Sequence, residues 1–351
     1  MSKIIVGMSG GVDSSVSAHL LKSQGHDVVG VFMQNWEDDD SDSYCTIKED
    51  SLDAIAVCDK LGIDIEIINF AKEYKERVFS YFLNEYQQGR TPNPDIFCNS
   101  EIKFKAFLEY AKNQNADYIA TGHYVGKSIT DQGELLIKAK DANKDQSYFL
   151  YRLNQHQVKS ALFPLADYNK SKVREIACEL NLSTAHKKDS TGICFIGERP
   201  FREFLMKYMP TNPGDMVDPS GRVLAQHVGL MYYTIGQRKG LGIGGLGDPW
   251  FVAGKDLEGN RLLVVQGHDN PLLYCKVLKA KDLSFILGIP PQEGNYTAKV
   301  RYRMPDAKCH LRYVDNETIE LEFEEPQFAI TRGQSVVIYQ DDFCLGGGII
   351  S

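Results

Sequence analysis

"SGGVDSS" occupies residues 9–15 and follows directly on the apolar run "KIIVGM" at residues 3–8. Two adjacent glycines, Gly10 and Gly11, stand between Ser9 and the pair Ser14 and Ser15, with Asp13 inside the turn. A tight bend alone would account for the glycines but not for the hydroxyls gathered around them. A strand, then glycines, then a helix start is the arrangement of an anion site. Backbone N–H groups at a helix N-terminus point outward unpaired, and glycine lets phosphate approach closely. Ser9, Ser14 and Ser15 add hydroxyl donors. The Walker pattern is absent because no lysine follows the glycines, and GxGxxG is absent as well. The plain alternative is a helix capped after a glycine turn.

Outward from this stretch, "DVVGVFMQ" (27–34), "DIEIINF" (64–70) and "DYIATGHY" (117–124) read as further strands. Helical patterns separate them, from Ser14 to about Gln24, over 49–62, over 72–89 and from Glu101 to Asn113. Strands alternating with helices predict βαβ units, hence an α/β domain with a parallel sheet over residues 1–200. After "GERPFREFLMKYMP" (197–210) the texture changes. Runs such as "GLMYYTIGQ", "PWFVAGKD" and "NRLLVVQG" predict a β-rich central domain over 206–268. The alternating "YTAKVRYR", "TIELEFEE" and "QSVVIYQ" predict an antiparallel β-barrel over 272–351.

With 351 residues, 43% hydrophobic and 25% charged, the chain has the composition of a soluble globular protein of two or three domains. No apolar window reaches the length of a membrane helix, and "MSKIIVGMSGG" lacks the features of a signal peptide, which points to the cytoplasm. Eight cysteines are scattered with no CxxC spacing, which argues against a zinc ribbon or a thioredoxin-like site. A net charge of −8 disfavours a nucleic-acid partner on average, but local patches decide binding. Such patches are "HKK" (186–188), "QRK" (237–239) and "KVRYR" (299–303). On a strand, Lys299, Arg301 and Arg303 would form a one-sided cationic ridge. The acidic run "NWEDDDSDSYC" (35–45) has no EF-hand spacing and reads as a solvated loop, so no metal held by protein side chains is expected.

Two cysteines stand in polar connections. In "GRTPNPDIFCNSEIKFK" (89–105), Cys98 lies just before the predicted helix, with Asp95 upstream and Lys103 and Lys105 downstream. A thiolate is favoured in such a place. Cys194 follows the polar turn in "KKDSTGICFIGER" (187–199). Alone, Cys98 reads equally as a small packed hydrophobe, and for Cys194 a buried structural cysteine is the default reading. Together they suggest a pair that meets only in the fold. Met33 alone reads as core, and His123 as lining of the nucleotide pocket.

"SGGVDSS" resembles the pyrophosphate-binding loop (PP-loop) of the ATP pyrophosphatases, an adenine-nucleotide alpha-hydrolase-like fold. With "GRTPNPDIFCN", "IKFKAF", "ATGHY", "KDQSYFL", "DSTGICFIGER", "YTIGQRKGL" and "VRYR", the whole chain resembles the bacterial tRNA-specific 2-thiouridylase family. The resemblance implies ATP-dependent 2-thiolation of the wobble uridine of tRNA, with Mg²⁺ on the phosphates. It implies a persulfide on Cys194, supplied by a cysteine desulfurase or sulfur-relay protein, with Cys98 as second thiol and Asp95 as acid/base. A Cys98–Cys194 disulfide would form as sulfur is released. For ATP it carries over Gly7, Met8, Ser9, Gly10, Gly11, Val12, Asp13, Ser14, Met33 and Gly122. For tRNA it carries over Asn93, Pro94, Asp95, Lys144, Asp145, Gln146, Arg301 and Tyr302. Two other readings are an amidating ligase on the same loop, which needs no thiol pair, and an ATP-sensing tRNA-binding protein without catalysis.

Overall fold

The computed structural model describes residues 1–37, 46–189 and 201–351. Strand β1 (Lys3–Met8) buries five of its six residues, as a strand covered on both faces must. It leads into α1 (Val12–Ser23), then β2 (Asp27–Gln34), α2 (Thr46–Leu61) and β3 (Asp64–Asn69). One continuous helical path follows, α3 (Ala71–Tyr74) through a π-helical turn into α4 (Ser80–Gln87). A second begins with α5 (Pro94–Phe97), continues π-helically over Cys98–Ala106 and ends as α6 (Phe107–Asn113). Then come β4 (Tyr118–Ala120), the hairpin β5 (Val125–Thr130) and β6 (Gly133–Lys138), α7 (Gln155–Lys159), the short β7 (Ala161–Leu162) and α8 (Lys170–Glu179).

The first sheet is parallel with strand order β3-β2-β1-β4-β7. The chain winds from β1 outward to β2 and β3, then returns to the other side of β1 for β4 and β7. That reversal opens a crevice beyond the C-terminal ends of β1 and β4, the place where open parallel sheets bind ligands. Residues 9–11 leave β1 into this crevice, and Thr121–His123 leave β4 into it.

Helix α9 (Phe201–Met206) leads to a four-stranded sheet of order β10-β11-β8-β9, with β8 (Gly214–Val217), β9 (Val223–His227), β10 (Trp250–Asp256) and β11 (Arg261–Gln266). The last part runs β12 (Tyr274–Phe285), β13 (Gly294–Lys299), β14 (Ala307–Tyr313), β15 (Ile319–Phe328), β16 (Ser335–Gln340) and β17 (Phe343–Ile350). Pairing of β12 with both β15 and β17 closes these six strands into a barrel. Its interior holds Leu278, Leu311, Leu321, Phe323, Val336 and Ile338.

Three local expectations change. The hairpin β5–β6, absent from the sequence reading, reaches out of the first domain and pairs with β17, Phe343 opposite Ile137 and Cys344 opposite Leu136. The strand in "KVRYR" ends at Lys299, and residues 300–304 turn ahead of Pro305, so no cationic ridge forms. Lys299 instead pairs with Asp145 at 3.6 Å and Asp306 at 3.5 Å. Cys98 does not precede a helix. Asn93 is the N-cap, its side chain accepting the Asp95 N–H at 3.2 Å, and the helix begins at Pro94, so Cys98 sits a full turn inside. Its dipole advantage is correspondingly small, because that effect fades beyond the first turn. Among the described residues, no helix is long and apolar enough to cross a membrane.

Candidate active site

Gly11 is the N-cap of α1 and has no side chain with which to satisfy the first-turn N–H groups. The hydroxyls around it are ordered by each other. The Ser9 N–H donates to Ser14 Oγ at 3.1 Å, and Ser14 Oγ and Ser15 Oγ donate to the Gly11 carbonyl at 3.1 and 2.8 Å. Gly10 has φ +69°, and a Cβ there would lie 2.2 Å from the Asp50 carbonyl oxygen. Gly122 has an ordinary φ but no room: a Cβ would stand 2.7 Å from Ser14 N and 2.8 Å from Asp13 C. The turn after β4 therefore lies directly against the loop after β1. Beside it, the Met33 methyl fills the space next to Gly7, 3.1 Å from where a Cβ would be.

A charged cluster adjoins the loop. Asp13 accepts hydrogen bonds from Tyr124 OH at 2.8 Å and from Lys170 Nζ at 2.6 and 2.7 Å. Lys170 also pairs with Asp189 at 2.8 Å, where Lys144 (2.7 Å) and Arg174 (2.8 Å) converge. Burial alone would raise the Asp189 carboxyl, but the hydrogen bonds from Lys144 and Lys170 outweigh it and hold it at about 2. Burial, reinforced by Asp13, pushes the Tyr124 hydroxyl far up, so it remains a neutral donor. His123 is buried, its Nδ1 2.8 Å from Thr121 Oγ1; burial and then the Lys103 charge hold it well below the ordinary histidine value, hence neutral. Lys187 ties the segment after α8 to α2 through Asp50 (2.6 Å) and Asp53 (2.5 Å). Among the described residues, no three His, Cys, Asp or Glu side chains cluster as metal ligands. The sequence reading missed Lys170, Tyr124 and Asp189 as site residues. Asn169, a residue type favoured at N-caps, directly before Lys170 was the available signal.

A second group of motif residues forms a wall. Cys98 is fully buried and Asp95 half-buried. Asn99 Nδ2 donates to the Phe149 carbonyl at 3.1 Å, and the Phe149 ring meets the Tyr302 ring at 4.4 Å. The structure thus brings together 93–99, 144–149 and Tyr302. Gln146 accepts the Tyr124 N–H at 2.9 Å, linking this wall to the loop cluster. Asp145 is buried beneath it, accepting Ser147 Oγ at 2.8 Å and the Ala139 N–H at 3.1 Å. Arg301 turns one nitrogen inward, its Nη2 donating to Ile235 O, Ala329 O and Thr331 Oγ1 at 2.8, 3.0 and 2.8 Å. Cys194 and Cys45, with the rest of 38–45 and 190–200, lie outside the described residues.

A parallel α/β core with an anion loop at its switch point, followed by two β domains, defines a nucleotide-binding enzyme core with accessory modules. Residues 2–198 match the family described as tRNA methyl transferase HUP domain, 202–266 the tRNA methyl transferase PRC-barrel domain, and 275–350 the aminomethyltransferase beta-barrel domain. The chain is 66% identical over 349 residues to the tRNA-specific 2-thiouridylase MnmA of Neisseria meningitidis serogroup A, covering 99% of this chain and 95% of that protein. With the protein of the same name from Thiobacillus denitrificans it shares 62% identity over 99% of both chains. A looser likeness, 19% identity and a TM-score of 0.36 over 57% of this chain and 71% of the other, is to NMN synthetase from Francisella tularensis. The chain belongs to the tRNA-specific 2-thiouridylase family.

Proposed function

We propose that this chain is a cytoplasmic tRNA-uridine 2-sulfurtransferase that uses ATP to replace O2 of the wobble uridine with sulfur. The observation that carries the reading is the near-full-length identity to 2-thiouridylases, which spans all three domains. The chemistry assigned to each residue follows from where it stands. ATP lies in the crevice at the switch point, its phosphates met by the α1 N-terminus, Ser9 and Ser14, with Gly7 to Ser14, Met33 and Gly122 shaping the pocket. Lys170 adds a cation beside the loop. Mg²⁺ would be carried on the phosphate oxygens and offset their charge. The uridine O2 attacks the α-phosphate and pyrophosphate leaves, so that a poor leaving group becomes AMP.

The terminal sulfur of a Cys194 persulfide, charged by a cysteine desulfurase or sulfur-relay protein, then attacks C2 and AMP departs with the former O2. The Cys98 thiolate attacks Cys194 Sγ. That forms the Cys98–Cys194 disulfide and leaves its bonding electrons on the sulfur at C2; an external thiol reduces the disulfide for the next turnover. Asp95 moves the protons of these steps. Asn93, Pro94, Lys144, Gln146 and Tyr302 contact the tRNA along the wall, with Asp145 supporting them from beneath. Arg301, whose Nε and Nη1 have no hydrogen-bond partner among the described residues, meets a phosphate. The test is oxygen tracing: tRNA labelled with heavy oxygen at O2 of the wobble uridine should yield labelled AMP and unlabelled pyrophosphate. Label appearing in pyrophosphate, or remaining in the tRNA while thiolation proceeds, contradicts adenylation.

A further inference from the structure

Lys255 lies on β10 of the central sheet, opposite Leu262 on β11. It is half-buried, and burial lowers its amine to about 8. No carboxylate among the described residues pairs with it. Its hydrogen bond is to the Gly89 carbonyl of the first domain, at 2.9 Å. Gly89 ends α4. It has φ +72°, its N–H donates to Tyr86 O at 2.9 Å, and the Arg90 N–H reaches back to Glu85 O at 3.0 Å, the double bond of a glycine-terminated helix. Leu257, just beyond Lys255, presses on the same residue, 2.6 Å from where a Gly89 Cβ would stand.

The segment after Gly89 has little freedom left. The Arg90 guanidinium forks onto the buried Glu85 carboxylate. The Thr91 N–H donates to the Arg332 carbonyl of the barrel at 2.9 Å. Gln334 Nε2 donates to the carbonyls of Thr91 (2.7 Å) and Pro92 (3.3 Å). Asn93 then caps the helix that carries Asp95 and Cys98. The central domain therefore grips this segment at one end and the barrel at the other. A half-buried amine whose partner is a single carbonyl is a costly way to pack a domain interface, since an apolar side chain would fill the same space. Its distinctive product is orientation.

We propose that Lys255 is a positioning residue for sulfur transfer: from the central domain it holds the Gly89 carbonyl, and so fixes the 89–93 segment that aims Asp95 and Cys98. This rests on the reading that those two residues act in the transfer. Through this contact, displacement of the central domain is passed to the thiol segment, which Lys255 itself does not touch.

The test uses the full-length protein with tRNA, ATP and a sulfur source. Lys255→Met keeps the stem and removes the donor; Lys255→Arg keeps a donor and charge. Lys255→Met should raise amide hydrogen exchange across 89–98, lower kcat for thiolation about tenfold or more, and leave the KM for ATP within about twofold. Lys255→Arg should recover much of both losses. Wild-type exchange, wild-type turnover, or a fall in kcat without increased exchange at 89–98 would each overturn the proposal. Should Lys255→Met fail to fold, Leu257→Ala loosens the same contact and is judged by the same criteria. Cys98→Ser is measured alongside. Full thiolation by Cys98→Ser sinks the reading of Cys98, whereas an inactive Cys98→Ser beside a fully active Lys255→Met sinks only the positioning role.

Discussion

Gly122→Ala adds one methyl group where the turn after β4 presses on the loop after β1. The backbone at Gly122 is already in a region open to alanine, so the perturbation is purely steric. The new Cβ would stand 2.7 Å from Ser14 N, 2.8 Å from Asp13 C and 3.0 Å from Asp13 Cβ, where ordinary contact begins at 3.4 Å. Two of these three atoms are backbone, so no flexible side-chain end can swing aside. The loop must move, by several tenths of an ångström, away from β4. Overpacking of this kind costs about 1–3 kcal/mol. A displacement approaching 1 Å at a reacting centre costs on the order of a hundredfold in rate. The expected outcome is a fall of a few degrees in melting temperature and a loss of tenfold to a hundredfold in tRNA-dependent pyrophosphate release. Gly254→Ala serves as control, because its Cβ meets nothing nearer than 3.5 Å. Pyrophosphate release by Gly122→Ala equal to that of the control would refute the assignment of 9–15 as the phosphate cradle.

Lys170→Met should raise the KM for ATP about tenfold or more, because the cation paired with Asp13 beside the loop is lost; an unchanged KM in steady-state assays would remove Lys170 from the phosphate site. Asp189 has a folded-state carboxyl at about 2 against an ordinary 3.8, so its stabilisation is present above 3.8 and is lost as the pH falls from there towards 2. Urea titrations near pH 5 and pH 3 should accordingly show a smaller acid loss in Asp189→Asn than in wild type, and equal losses would count against the cluster. Arg301→Ala should lower stability, by leaving Ile235 O without its donor and Ala329 O with only that of Thr331 Oγ1, and make the salt dependence of tRNA binding shallower by roughly one phosphate contact. Fluorescence anisotropy at several salt concentrations reads the second effect, and an unchanged slope would confine Arg301 to joining the central domain to the barrel.

What the sequence disclosed was local. The strand–glycine–helix order of 3–15, the alternation behind the parallel sheet and the period-2 runs of the barrel each lie within a few consecutive residues. So do the motifs around Cys98 and Cys194. What it hid was contact between distant segments. Asp13 meets Lys170, and Lys144 meets Asp189, only after the sheet winds outward from β1 and returns. Lys255 reads as an ordinary residue of a strand until β10 is docked against the end of α4. The ridge expected at 299–303 failed for a different reason. The alternation was present, but a turn ahead of Pro305 ended the strand, and Asp145 and Asp306 drew Lys299 inward. Cys98 was placed one helical turn too early because Pro94 looked like part of a loop and is in fact the first residue of the helix.

The central claim is the exchange of oxygen for sulfur at the wobble uridine, and nucleoside mass spectrometry measures it directly. Unmodified tRNA would be incubated with the purified protein, ATP and a cysteine desulfurase with cysteine, then digested. The account predicts 2-thiouridine at the wobble position, absent without ATP and absent with Cys194→Ala. Wobble uridine left unchanged by the wild-type protein with every component present, or a methylated uridine formed without any gain of sulfur, would contradict it.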